Sequence, residues 1–231
     1  MRSRWRISRT SFAITPRNVF VTGATGYLGR PLVAELVARG HTVRALVRPG
    51  GSGRLPAGAE PVEGNALAAS SFASDVAPSD TIVHLVGTPR PSPAKVAQFR
   101  AIDFASIEAT VTAAQQSAVQ HLVYISVAHP APIMQAYIAV RQAGEALIHA
   151  SGVPATILRP WYVLGPGHRW PYVLLPLYRV LNWIPQTRQA AQRLGLVTRR
   201  QMLGALIHAV EHPVTDVRVI TVPEIRATGS A

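Results

Sequence analysis

Three glycines, Gly23, Gly26 and Gly29, lie in the run VTGATGYLGR at residues 21–30. Glycines at this spacing suit one kind of chemistry, the closing of backbone N–H groups on phosphate oxygens. The first permits a tight turn, the second lets backbone approach a pyrophosphate, and the third lets a helix pack on the strand before it. The phosphates then sit at the helix N-terminus, where unpaired N–H groups and the dipole favour an anion. A glycine triplet alone is weak evidence, so its context carries the argument. The apolar run Asn18–Thr22 precedes it. Leu28, Leu32, Val33, Leu36 and Val37 follow at helical spacing, and Gly40 stops the helix. A second apolar run, Thr42–Val47, arrives where a strand–helix–strand unit needs it.

The end of that second run bears on which dinucleotide is bound. An acid there suits the ribose 2′-hydroxyl of NAD, whereas an arginine suits a 2′-phosphate. This chain has Arg44 and Arg48 and no Asp or Glu between Glu35 and Glu60. The expected cofactor is therefore NADP(H), with Arg48 as the phosphate ligand, because a guanidinium forks onto phosphate oxygens. Arg44 reads more readily as a solvated side chain.

The elements that must hold these residues continue the alternation. A loop covers Pro49–Gly58. Strands are expected at Ala59–Glu63, Thr81–Val86, His121–Ile125, Ala155–Leu158 and Val217–Val222. Helices are expected over Lys95–Ser117, Met134–Ala150 and Val197–Val210. In the Lys95 helix, Val96, Phe99, Ile102, Ile107 and Val111 are the expected inward positions. Strand–helix alternation implies a doubly wound, Rossmann-like α/β fold: a parallel sheet covered on both faces, with right-handed crossovers. Residues 18–231 read as a single domain. Pro160–Arg200 breaks the alternation and reads as a lobe or lid on the substrate side.

Composition narrows the function classes. The chain has 231 residues, no cysteine and a formal charge of +12. The missing cysteine excludes disulfides, thiolate metal sites and a cysteine nucleophile, and fits a cytoplasmic setting. Arg2, Arg4, Arg6, Arg9 and Arg17 crowd the first 17 residues, ahead of the first acid, Glu35. Residues 1–17 read as a basic, disordered tail. A basic chain attracts nucleic acid and anionic membranes without specificity, and no motif specific for nucleic acid is present. Trp170–Ile184 is apolar but is interrupted by Pro171 and Pro176, too broken to span a bilayer. Peripheral membrane contact stays open, as does the oligomeric state. The histidines, His129 and His168 among them, do not cluster at metal-ligand spacing, so no metal is expected.

TGATGYLGR resembles the opening motif of the extended and atypical short-chain dehydrogenase/reductases, a group that includes epimerase-like and NmrA-like proteins. Later features are similar too: Gly64–Asn65, His84–Gly87 (HLVG), Tyr137–Glu145 (YIAVRQAGE) and the Arg-Pro…Gly-Pro-Gly turn in Leu158–Gly167. The resemblance implies a cofactor site made by Gly23, Thr25, Gly26, Tyr27, Leu28 and Gly29 of the loop. Arg48, Asn65, Val86, Gly87, Arg141 and Pro160 complete it.

By the same resemblance Tyr137 is the proton donor or acceptor, Ser126 orients a carbonyl, and Arg141 stands where such proteins have lysine. Spacing of i, i+4 places Tyr137 and Arg141 on one helix face. Arginine supplies the charge, yet it is bulkier and never gives up its proton. Trp161, Tyr162, Trp170, Tyr172 and Tyr178 imply either a lining for a small apolar substrate, or a packed lobe core or docking surface. Three functions stay open: NADP(H)-dependent hydride transfer to an apolar carbonyl or activated double bond, a non-catalytic NADP(H)-binding regulator or assembly subunit, and an epimerase or isomerase with bound NADP.

Overall fold

A computed structural model describes residues 15–165 and 193–229. Seven parallel strands form the central sheet: β1 (Asn18–Thr22), β2 (Thr42–Val47), β3 (Glu60–Glu63), β4 (Thr81–His84), β5 (His121–Ile125), β6 (Ala155–Leu158) and β9 (Val217–Ile220). Their spatial order is β3-β2-β1-β4-β5-β6-β9. The order reverses at β1, where Val19 pairs with Val43 of β2 on one side and Thr81 of β4 on the other. A ligand crevice opens beyond the strand ends at such a switch point. This is the doubly wound Rossmann-like fold expected from the alternation. A separate pair, β7 (Tyr162–Leu164) and β8 (Leu196–Thr198), is also parallel.

Period-two alternation sends neighbouring strand residues to opposite faces. Val19, Val21, Val43, Val83, Val123 and Ile220 join one core with Leu32 and Leu36 of α1 (Gly29–Ala38). Met202 and Leu206 of α5 (Arg199–Glu211) and Ile225 of α6 (Val222–Thr228) complete that layer. Phe20, Ile82, Leu122, Tyr124 and Ile157 face the other way, against Ile107 and Val111 of α3 (Ala105–Gln116) and Ile148 of α4 (Gln135–Ser151). Each fully buried side chain of this kind stabilises the fold by roughly 1.5–3 kcal/mol.

Several boundaries differ from expectation for identifiable reasons. The Lys95–Ser117 region is mostly helical, as expected, but not uniformly α. It comprises α2 (Val96–Gln98), a π-helical stretch Phe99–Phe104, and α3. Bonding of i→i+5 underwinds the helix, so Phe99, Asp103 and Ile107, four apart, all stay buried. Val96, expected inside, is 49% exposed. Val197 belongs to β8, and the late helix begins only at Arg199. A capping box sets that start, with Gln201 N–H donating to Thr198 Oγ1 at 3.2 Å and the Gln201 side chain accepting from Thr198 N–H at 3.0 Å. Thr221 and Glu224 form a second box, which ends β9 at Ile220 and makes Val222 helical. Among the described residues no helix is long and apolar enough to cross a membrane.

Candidate active site

The glycine loop joins β1 to α1. Gly23 has φ +72°, and a Cβ there would lie 2.9 Å from the Leu85 carbonyl carbon beyond β4. Glycine is thus required both by the left-handed backbone and by the close approach of the neighbouring strand. A Cβ on Gly29 would collide with the Gly23 carbonyl oxygen and lie 2.8 Å from Ala24. Gly26 N–H donates to the Gly23 carbonyl at 3.0 Å and tightens the turn. Helix α1 has Leu28 at its N-cap, with no side-chain cap and no acid in its first turn. Arg30 N–H is already bonded to the Gly26 carbonyl at 3.1 Å and Pro31 has no N–H, so the Leu28 and Gly29 N–H groups are the ones placed to meet an anion. Thr25, Tyr27 and Leu28 are partly buried along this loop, and the Arg199 guanidinium lies 5.6 Å from the Tyr27 ring centre. These features fit the pyrophosphate of a dinucleotide.

At the end of β2 the two arginines separate. Arg44 is engaged by Glu60 at 3.0 Å and by the carbonyls of Asp75 and Ala77, so it is a structural residue. Arg48 follows the strand and is exposed. One acid escaped the linear reading. Glu63 ends β3 in register with Val47, and its carboxylate accepts the Gly50 N–H at 3.1 Å. Asn65, exposed just beyond, turns its side-chain oxygen onto the Leu67 N–H at 3.0 Å, which fixes the loop at that corner.

Arg141 is the hub of the other half. It is 6% exposed. Its Nε–H donates to the Tyr137 hydroxyl at 3.1 Å, one terminal N–H to the Ile125 carbonyl at 3.0 Å, and the other terminal nitrogen to Asp103 Oδ1 at 2.6 Å. Asp103, 1% exposed, also accepts the Thr88 N–H at 3.0 Å and the Thr88 hydroxyl at 2.5 Å. Burial alone disfavours the Arg141 cation, but the oxygens of Tyr137, Tyr124 and Asp103 outweigh it and hold the guanidinium protonated, above its ordinary pKa. Tyr124, buried beneath, has its pKa raised by burial against the opposing pull of Arg141.

Gly87 belongs to this cluster. A Cβ there would strike the Arg141 guanidinium and lie 3.1 Å from Asp103 Oδ1. Val86, beside it, is half-buried near Gly23. His84, at the end of β4, is held by Thr22 and Thr110 hydroxyls at 3.1 and 2.9 Å. Burial, reinforced by Arg141, pushes its pKa down to about 3, so it is a neutral core residue.

Ser126, 3% exposed, follows β5 immediately after the carbonyl that Arg141 grips, and its buried Oγ has no hydrogen-bond partner. Pro160 is buried, its carbonyl accepting the Ala128 N–H at 2.9 Å. Arg159, the arginine of the Arg-Pro turn, pairs with Glu145 through two bonds of 3.0 and 2.5 Å and is structural. His129 lies 3.7 Å from the same carboxylate. The lid expected over Pro160–Arg200 falls largely outside the described residues, as do His168, Trp170, Tyr172 and Tyr178; so does most of the basic tail. Among the described residues no cluster of three His, Asp or Glu could hold a metal.

Tyr137 and Arg141, expected on one helix face, are joined by a hydrogen bond, whereas Asp103 and Thr88, which complete the cluster, carried no expectation in the sequence. The available signal was an acid at the inward spacing between Phe99 and Ile107.

The NAD(P)H-binding family profile matches residues 23–172. The chain belongs to this NAD(P)H-binding family. It is 29% identical, over 168 residues, to the 4-hydroxy-2-methyl-3-oxo-4-farnesyl-3,4-dihydroquinoline-1-oxide ketoreductase of Stigmatella aurantiaca, covering 63% of this chain and 50% of that one. It is 28% identical to the ceramide reductase of Caulobacter vibrioides, covering 64% of this chain and 47% of that one. The chain thus spans about half the length of these curated relatives. Its fold is similar to that of Bordetella bronchiseptica WbmH in complex with NAD+, at TM-score 0.67 and 19% identity, covering 90% and 76% of the two chains. It is also similar to a UDP-galactose 4-epimerase, at TM-score 0.66 and 19% identity, covering 88% and 77%.

Proposed function

We propose that this protein is an NADP(H)-dependent reductase that acts in the cytoplasm on an apolar carbonyl or activated double bond. The observation that carries the reading is the Tyr137–Arg141–Asp103 chain set beside the unpartnered Ser126 hydroxyl. The cofactor would lie on Gly23, Thr25, Gly26, Tyr27, Leu28 and Gly29, with Asn65, Val86, Gly87 and Pro160 along its length and Arg48 at the 2′-phosphate. When bound, the nicotinamide supplies the hydride to the substrate carbon.

The protein's own part is proton delivery. Guanidinium only donates, so the Tyr137 oxygen must accept from Arg141. The Tyr137 hydroxyl proton then points away from Arg141 and is available to the substrate oxygen. Arg141 and Asp103 act as positioning residues: Arg141 touches Tyr137 and keeps its proton, and Asp103 touches Arg141. Ser126 Oγ–H would donate a second hydrogen bond to the same oxygen, an arrangement that opposes negative charge developing there. The two curated relatives, named a farnesyl-dihydroquinoline-1-oxide ketoreductase and a ceramide reductase, support the direction of the chemistry.

A second reading, a non-catalytic NADP(H)-binding protein, is favoured by one observation: the Arg141 donors are engaged by protein, which leaves little for a ribose. Steady-state NADPH oxidation with a panel of apolar ketones and quinones separates the two readings. Calorimetry on the same preparation should give tighter NADPH than NADH binding, and Arg48→Ala should narrow that gap by about 1–3 kcal/mol. Equal affinity for the two cofactors in the native protein would overturn the NADP assignment.

A further inference from the structure

An apolar recess adjoins Tyr137. Its walls are Pro93, Val96 and Phe99 on one side and Met134, Gln135, Ala136 and Tyr137 at the start of α4 on the other. None of these is charged. Gln135 turns its amide onto the Ala131 carbonyl, so it presents its aliphatic stem. Val96 is 49% exposed, and Ile133, next to Met134, is 59% exposed. These are two of the three large apolar side chains exposed among the described residues. Val96 lines the recess, and Ile133 directly precedes its Met134 wall.

The recess is joined to the chemistry by Phe99 and Tyr137. The two rings meet edge to face at 5.1 Å, and the opposite end of Tyr137 is the hydroxyl bonded to Arg141. The π-helical stretch that begins at Phe99 also carries Asp103, so one irregular turn builds the recess wall and the counter-ion of Arg141. Underwound turns of this kind are frequent at functional sites because they redirect side chains without breaking the helix.

We infer that this recess is a specificity site that binds the alkyl or isoprenoid portion of the substrate while its carbonyl meets Tyr137 and Ser126. The inference rests on the reductase reading for the carbonyl's position, but binding of the chain itself is separable from turnover. Transfer of a methylene from water into an apolar site strengthens binding by about fourfold. Affinity should therefore climb steeply with chain length until the recess is full and then level off.

The test is calorimetric titration of 2-butanone, 2-hexanone, 2-octanone and 2-decanone into NADPH-saturated protein, paired with NADPH oxidation for each ketone. Two variants accompany it: Ala136→Trp, which fills the recess from the exposed first turn of α4, and Val96→Asp, which places a carboxylate on its rim. Both should leave NADPH affinity unchanged. Native protein should show a chain-length gain of at least tenfold between 2-butanone and 2-octanone, and both variants should flatten it. A flat series in native protein, or a gain that survives in both variants, would overturn the recess assignment. A chain-length series that behaves as expected with no NADPH oxidation by any ketone would keep the recess and remove the reductase reading.

Discussion

Removing Asp103 is the most direct way to ask whether Arg141 is held as the structure implies. In Asp103→Ala the guanidinium keeps its bonds to Tyr137 and Ile125 but loses its counter-charge. The Thr88 N–H and hydroxyl lose their shared acceptor as well. Breaking a buried ion pair from one side costs about 3–5 kcal/mol, because the surviving charge stays desolvated. For a domain of this size each kcal/mol lowers Tm by about 2–4 °C, so the fall should be roughly 6–20 °C. Arg141→Met should be similarly costly, since it strands the Asp103 carboxylate. Asp103→Ala combined with Arg141→Met removes both charges together and should be less damaging than the two single losses added. The coupling should be about 1–3 kcal/mol, the range for residues in direct contact. Urea denaturation of the four proteins of the cycle measures it. Strictly additive losses would refute the ion-pair argument and, with it, the idea that Asp103 positions Arg141.

Tyr137→Phe should reduce turnover by about 10²–10⁴-fold with NADPH affinity nearly intact, because only a proton donor is lost; full turnover in this variant would end the proposed mechanism. Gly87→Ala drives a methyl against Arg141; overpacking there should cost about 1–3 kcal/mol and weaken turnover more than folding, as read by Tm and steady-state rates together. Acid should destabilise the protein through His84: the folded form stays neutral down to about pH 3, whereas the unfolded histidine takes up its proton near pH 6.5. Stability is then complete above pH 6.5 and declines as pH falls toward 3, by about 1.4 kcal/mol per pH unit for this one group. His121, whose pKa burial lowers to about 4, adds to the decline over the same upper range. Chemical denaturation at pH 7, 6 and 5 should show this slope, and His84→Asn should make it shallower; an unchanged slope in that variant would assign the acid sensitivity elsewhere.

The glycine loop and the strand alternation were legible because each follows from local rules: apolar period, glycine where backbone must approach, arginine at a strand end. What the linear pattern could not convey depends on distance in space. Arg44 and Arg48 are indistinguishable by alternation, yet the 75–77 corner occupies one and leaves the other exposed. Glu63 reaches the end of β2 only through strand pairing. Asp103 sits in a segment whose apolar period fits an ordinary α-helix, so the π-helical stretch did not stand out, although the acid's inward spacing was readable. Val197 and Val222 were misplaced for a different reason. Each adjoins a threonine three residues before Gln201 or Glu224, a cap signature that outranks the apolar pattern once recognised.

The pairing of β1 with β4 carries a consequence for assembly of the chain. Gly23 is shaped by the backbone of Leu85, and Val19 lies against Thr81. No stretch of chain that stops before β4 can therefore hold the nucleotide crevice, although the whole phosphate loop lies before residue 30. Closing so long a loop delays the contact relative to local helix formation. A nascent chain cannot bind cofactor early and use it as a template. Nucleotide instead acts after the fact, drawing the folded population forward by mass action in proportion to how far its concentration exceeds the dissociation constant.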